Sequence, residues 1–282
     1  MVHLIVAIFA LASATAPSVP YMAPDTAVFE VGTADPARTY KLYIKTPPGY
    51  DRTEESGRAY PVIYLNDGDL HFMTAAGETL LPYYNKAAAP VIIVGISYAK
   101  GEDAIASRQL DYTPAKDASF KNETGGAGRY LDFLKNSIIP FVEERYRIDS
   151  NRRAIAGHSL GATFAAYALF EHPGLFSDYI IISPALWFGG NAIANLEDGY
   201  SKAHSDLAAR VFIAVGDLES PKGGLKRVNM VNDAQAFAVR LRSRDYGGLE
   251  LRSEVLKGGV NHATSFAAGF ARALLVLYPP AK

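Results

Sequence analysis

The sequence contains no cysteine. Disulfides, thiol nucleophiles, cysteine-ligated zinc and iron–sulfur clusters are excluded together, as is a lipid anchor attached through cysteine. An excess of either charge is lacking too: 28 Lys and Arg stand against 29 Asp and Glu, a net −1, with no basic or acidic run. Nothing electrostatic draws the chain to nucleic acid or to an anionic membrane, and neither is expected as a partner. Internal repeats, low-complexity blocks and a linker between halves are also missing. A chain of 282 residues, 49% hydrophobic and 20% charged, then suits one large globular domain.

Long apolar runs are scarce as well. "LIVAIFALA" (4–12) is too short to span a bilayer, so no membrane span is expected. Small residues follow it, up to Ala16 and Pro17. The pattern reads as a secretory signal peptide over 1–16, placing the protein in the periplasm or outside the cell and leaving 17–282 as the folded domain. Its first residues, Met-Val-His, lack Lys and Arg, so the other readings are a misassigned start site, which would make the protein cytoplasmic, or an apolar strand packed on the domain.

What is present is an alternation of strand-like and helix-like segments. Residues 26–33 and 38–47 alternate apolar and polar as a half-exposed antiparallel hairpin does. Continuous apolar runs at 60–66, 91–97, 152–157, 178–183 and 211–216 read as strands buried on both faces, with a more polar last strand at 249–256. Helical spacing appears at 128–146, where Pro140 predicts a kink, and at 160–171, 229–242 and 263–277. Strands alternating with helices imply a mostly parallel sheet flanked by helices. About eight of them behind an antiparallel start describe an α/β-hydrolase fold. Little sequence remains for a large cap domain; the stretches 100–127 and 189–208 are expected to wall an open site.

"AGHSLGATFAAYALF" (156–170) sets Ser159 between Gly157 and Gly161 where a strand gives way to a helix. Gly-x-Ser-x-Gly arises by chance in about one chain in ten of this length, so the motif needs its context. That context is a strand–turn–helix elbow, with glycines where side chains would collide and a helix N-terminus aimed at the serine. Such a serine needs a base, and in this fold acid and histidine follow it in that order. His204 falls in a polar helical stretch; His262, in "KGGVNHATSF", follows the last strand and is the candidate base. The acid belongs after the strand 211–216, where Asp217 and Glu219 in "GDLES" fit equally well by spacing. An oxyanion hole requires two backbone donors: the N–H of Leu160, and that of Asp69 in "LNDGDLHF" (65–73) after the third strand. Asp67, Asp69 and His71 hint at metal ligands but read better as polar residues orienting that loop. No metal and no cofactor is expected.

The segments "YPVIYLNDGD", "RQLDYTP", "GGAGRYLDFLKNSIIPFVEERYRID", "RAIAGHSLGATFAAYALFEHPGLFSDYIIISPALWF" and "VGDLES" resemble the putative-esterase (esterase D type) family of α/β hydrolases, most of all its siderophore-lactone esterase branch. The resemblance runs from about residue 38 to the C-terminus. It implies a serine esterase acting on a small-molecule ester, with Ser159 as nucleophile and His262 as base. It also implies Glu219 as acid, with Asp69 and Leu160 as oxyanion donors. A siderophore trilactone is one substrate it suggests; feruloyl or acetyl carbohydrate esters, or acyl transfer on the same site, are others, and a silent binding protein is the remotest. Ala162 departs from the family, which has a second glycine there. Arg108 recurs over the site in relatives and either holds an anionic or catecholate group or pins its own loop through Asp111. Trp187 either walls the substrate pocket or belongs to the core.

Overall fold

The computed structural model describes residues 22–33, 38–225 and 228–280, so the leader read at 1–16 lies outside the described residues. Among the described residues, eight strands form one sheet. They are β1 (Thr26–Gly32), β2 (Thr39–Lys45), β3 (Tyr60–Leu65), β4 (Ile92–Ile96), β5 (Ile148–His158), β6 (Asp178–Ile182), β7 (Asp206–Gly216) and β8 (Gly247–Leu256). Their order is β1-β2-β4-β3-β5-β6-β7-β8, with β1–β2 and β2–β4 antiparallel and every other pair parallel. This is the α/β-hydrolase sheet that the alternation of segments predicts.

The central strands are apolar along their whole length because both of their faces are covered; every residue of β4 and β6 is buried. Edge strand β8 has a neighbour on one side only and carries the polar pattern of a half-wet edge. Helices α1 (Gly68–Glu78), α2 (Leu80–Tyr84), α3 (Ala104–Tyr112), α4 (Ala127–Phe133), α5 (Ile139–Glu143), α6 (Leu160–Glu171), α7 (Phe188–Ala203), α8 (Met230–Ser243) and α9 (Ser265–Leu277) connect the strands. Phe72 of α1 and Phe266, Phe270 and Leu274 of α9 pack on one face of the sheet. Phe164 and Leu169 of α6, with Phe237 of α8 and Ile193 of α7, pack on the other. No helix among the described residues is long and apolar enough to cross a membrane.

Three sequence expectations change. The single helix read over 128–146 is α4 and α5 joined by a π-helical turn at Leu134–Ile138, because Pro140 has no N–H to continue the regular ladder. The stretch 65–73, read as a loop, is helical from Gly68 onward. A Cβ on Gly68 would sit 2.6 Å from the backbone N of Ile96, so glycine there lets the chain turn into α1 directly against β4. Arg108, read on a loop over the site, lies instead in α3, which Asp103 caps by accepting from the Ala106 N–H at 2.9 Å.

Candidate active site

The C-terminal ends of the parallel strands converge, and the sequence places polar residues just beyond each of them. β5 delivers Ser159 in a left-handed conformation, φ 58° and ψ −121°, a region that costs a non-glycine residue about 1–3 kcal/mol. The turn exists because its flanking positions are glycine. A Cβ on Gly157 would lie 2.1 Å from the Gly161 carbonyl, and one on Gly161 would lie 2.7 Å from Asp67 Oδ2. Asn66 Nδ2 donates to the Gly161 carbonyl at 3.0 Å, tying the end of β3 to the elbow. The Ser159 carbonyl accepts from Ala162 and Thr163, whereas the Leu160 N–H has no acceptor among the described residues.

Facing this elbow is the start of α1. Asp67 is also left-handed, at φ 55°, and fully buried. Its carboxylate accepts from Arg108 Nε at 2.8 Å, Arg108 Nη2 at 3.1 Å and the Tyr98 hydroxyl at 2.9 Å. Arg108 therefore sits on α3, not on a loop, and it braces the β3–α1 turn through Asp67 instead of pairing with Asp111. Asp111 points inward and is taken by Arg38 and by the Tyr40 hydroxyl. Asp69 is braced too, accepting from the Tyr43 hydroxyl at 2.5 Å and the Tyr98 N–H at 2.8 Å. Its own N–H, like that of Leu160, has no acceptor among the described residues.

The third component comes from the loops after β7 and β8. His262 Nδ1 lies 2.5 Å from Glu219 Oε2. The other Glu219 oxygen accepts from the Ser183 hydroxyl at 2.5 Å and the Gly216 N–H at 2.8 Å. Burial works against a charge on Glu219, but the bonds from His262, Ser183 and Gly216 outweigh it and hold the carboxyl below the usual range. Asp217 faces another way. It accepts the N–H groups of Val260 at 2.8 Å and Gly258 at 3.1 Å, so it shapes the loop that carries His262. Ser183, Ser265, His158, Tyr43 and Tyr98 are members of the candidate site that motif reading missed. The one hint in the sequence was that polar residues close the apolar runs of β5 and β6.

Ser159 and His262 line one cavity of about 690 Å³, although no hydrogen bond joins them in this structure. Leu70, Ile105, Phe266 and Ala267 give it an apolar wall, with Arg108, Tyr98, His71 and His158 as its polar lining. Of the two expected walls, 100–127 contributes through Ala104, Ile105 and Arg108, while no residue of 189–208 lines it. Trp187 is not among the lining residues; its ring lies parallel to Phe120 at 6.4 Å, beside a separate polar hollow. His204 stacks on Tyr200 at 4.2 Å, away from the cavity.

His71 stacks on Phe266 at 3.9 Å, and its buried Nε2 has no hydrogen-bond partner. Burial pushes its pKa down to about 4, with the Asp67 charge offsetting only part of the effect. The unfolded chain protonates this histidine near pH 6.5, so between about 6.5 and 4 the unfolded state binds more protons and stability falls as the pH falls. His71→Phe keeps the stacked ring and removes both the orphaned nitrogen and this proton linkage. The variant is expected to melt higher than the parent, and to lose less stability between pH 7 and pH 4 by on the order of 3 kcal/mol. Thermal melts at the two pH values check it; equal losses in the two proteins would contradict it.

Comparison with known proteins shows the family and the fold. A family model described as "Putative esterase" matches residues 33–277. The chain belongs to that family. It is a carboxylic ester hydrolase. It is 30% identical over 210 residues to the ferri-bacillibactin esterase BesA of Bacillus subtilis, covering 70% of this chain and 71% of that one. It is 31% identical over 224 residues to the siderophore triacetylfusarinine C esterase of Aspergillus fumigatus, covering 75% of each. Among solved structures, the siderophore hydrolase EstB from Aspergillus nidulans superposes with a TM-score of 0.74 at 25% identity, over 93% of this chain and 98% of that one. The BES protein from Bacillus cereus shares the fold with a TM-score of 0.81 at 24% identity, over 94% and 99% of the two chains.

Proposed function

We propose that the protein is a serine esterase that works through an acyl-enzyme, with a siderophore ester as its substrate. One observation carries the mechanism: a serine held at a left-handed elbow shares its cavity with a histidine whose far nitrogen is 2.5 Å from a buried carboxylate. Ser159 Oγ attacks the ester carbonyl while His262 Nε2 takes its proton. Glu219 keeps the Nδ1–H tautomer and stabilises the imidazolium. The developing oxyanion is received by the N–H groups of Asp69 and Leu160, which have no acceptor among the described residues and lie in the first turns of facing helices. His262 then returns the proton to the leaving alkoxide. Water, activated by the same imidazole, releases the acyl group and frees Ser159.

The bracing of Asp67 and Asp69 has a catalytic consequence. A donor contributes most when it is already aimed at the place where charge develops, and both flanks of the Asp69 amide are tied to separate elements through Arg108, Tyr43 and Tyr98. Asp67 takes two of the five donors of Arg108, so its role here is to hold the oxyanion turn.

Two things support the siderophore reading of the substrate: the siderophore esters named for the relatives, and a roomy cavity with an apolar wall. The test is a hydrolysis screen of the purified protein against p-nitrophenyl acyl esters, feruloyl esters and a trilactone siderophore. The trilactone is expected to give the highest kcat/KM. A feruloyl ester in first place would replace it with carbohydrate-ester chemistry. Transfer to an added alcohol outrunning hydrolysis would make the protein an acyltransferase.

A further inference from the structure

The carboxylate of Glu219 is the end of a chain of hydrogen bonds that reaches away from His262 into the protein. Ser183 Oγ is 2.5 Å from Glu219 Oε1 and 2.8 Å from Ser265 Oγ, and Ser265 Oγ is 3.1 Å from His158 Nε2. Ser183 and Ser265 are fully buried, and Ser183 is held at a left-handed φ of 48° just beyond β6. His158 lies between Gly157 and Ser159 in the chain, and its ring faces that of His262 at 4.4 Å.

Counting protons gives this chain a direction. An ionised carboxylate only accepts, so the single proton of Ser183 goes to Glu219. Ser183 must then accept at 2.8 Å, which commits the single proton of Ser265. Ser265 in turn has none left for its other neighbours, the His262 carbonyl at 3.3 Å included, so His158 must donate through Nε2–H. Burial keeps His158 neutral, as this tautomer requires. We propose that His158, Ser265 and Ser183 form a one-way donor chain that positions Glu219 and sets how strongly it holds the His262 imidazolium. The three are positioning residues, since none of them touches the reacting ester, and the proposal rests on Glu219 and His262 acting as acid and base. The other groups facing His262 are His71 from α1 and Arg108 from α3, the latter paired with Asp67.

The test is the pH dependence of kcat and kcat/KM in Ser183→Ala. Loss of a hydrogen bond to a charged group leaves more of the Glu219 charge facing His262, so the imidazole holds its proton to higher pH. The expected result is a kcat about tenfold lower with KM unchanged, and an acid limb of the kcat/KM profile moved to higher pH. Ser265→Ala avoids the left-handed position and is expected to move the limb in the same direction by less, so it carries the test if Ser183→Ala does not fold. A wild-type profile in both variants, or a lower kcat with an unmoved limb, overturns the chain. Glu219→Gln separates the two levels of the argument. If it is crippled while the serine variants are unchanged, the chain alone is wrong; if it has a wild-type rate, the triad falls and the chain with it.

Discussion

Ser159→Ala is expected to lose about 10⁶-fold in kcat while keeping its fold, the size of loss seen when one member of a triad acting as a unit is removed. The fold survives because alanine keeps the Cβ that the elbow already accommodates at φ 58°, and because the Ser159 backbone, not its hydroxyl, makes the structural bonds. Its N–H donates to the Ile182 carbonyl at 3.1 Å and its carbonyl starts α6, and both are unchanged in the variant. A second substitution separates strain from chemistry. Ser159→Gly is expected to be equally inactive but to melt above Ser159→Ala, since glycine tolerates this φ without a steric cost. Circular dichroism melts and initial rates on a p-nitrophenyl ester measure both. A Ser159→Ala protein retaining a tenth of the parental rate would end the serine mechanism.

Much of this candidate site is legible in the sequence. The glycines around Ser159 reflect backbone so close that a Cβ on Gly157 would lie 2.1 Å from the Gly161 carbonyl oxygen, and such local steric demands leave a trace in sequence. His262 was legible because chain order in this fold leaves few histidines beyond the last strand. Long-range pairing was not legible. Arg108 and Asp111 are three apart on α3 and suggest a local pair, yet Arg108 reaches Asp67, 41 residues away, and Asp111 reaches Arg38, 73 residues away. The choice is made by burial: Asp67 and Asp111 are both nearly inaccessible, and a buried carboxylate needs a cation wherever the fold supplies one. α1 was missed because "NDGD" carries turn residues and the helix does not separate its apolar and polar residues onto two faces. Trp187 stays open between pocket wall and core in the sequence because a lone aromatic after a strand gives no direction; its ring lies against Phe120, outside the cavity lining.

Glu219→Gln is expected to lose about 10⁴-fold in kcat with little change in melting, and Asp217→Asn to melt lower with a rate within about tenfold of the parent. Spacing alone left these two carboxylates equivalent; their hydrogen bonds make them different. Glutamine at 219 keeps the volume and still accepts from Gly216 and Ser183 through one oxygen. The group facing His262 Nδ1 becomes a donor or a weaker acceptor, which stabilises the wrong imidazole tautomer and removes the charge that balances the imidazolium. Asp217 meets no imidazole. Its oxygens hold the N–H groups of Gly258 and Val260 in the loop before His262, and these two donors, with that of Gly259 at 3.4 Å, hold its carboxyl below the usual carboxylate range against the opposing effect of burial. Asparagine there offers one acceptor where the aspartate offered two, so the loop loosens before the chemistry suffers. Paired measurements of kcat and melting temperature on the two variants decide the matter. A large rate loss at Asp217 beside a small one at Glu219 would reverse the assignment. Small losses at both would leave a Ser159–His262 dyad whose imidazole is oriented by some other group.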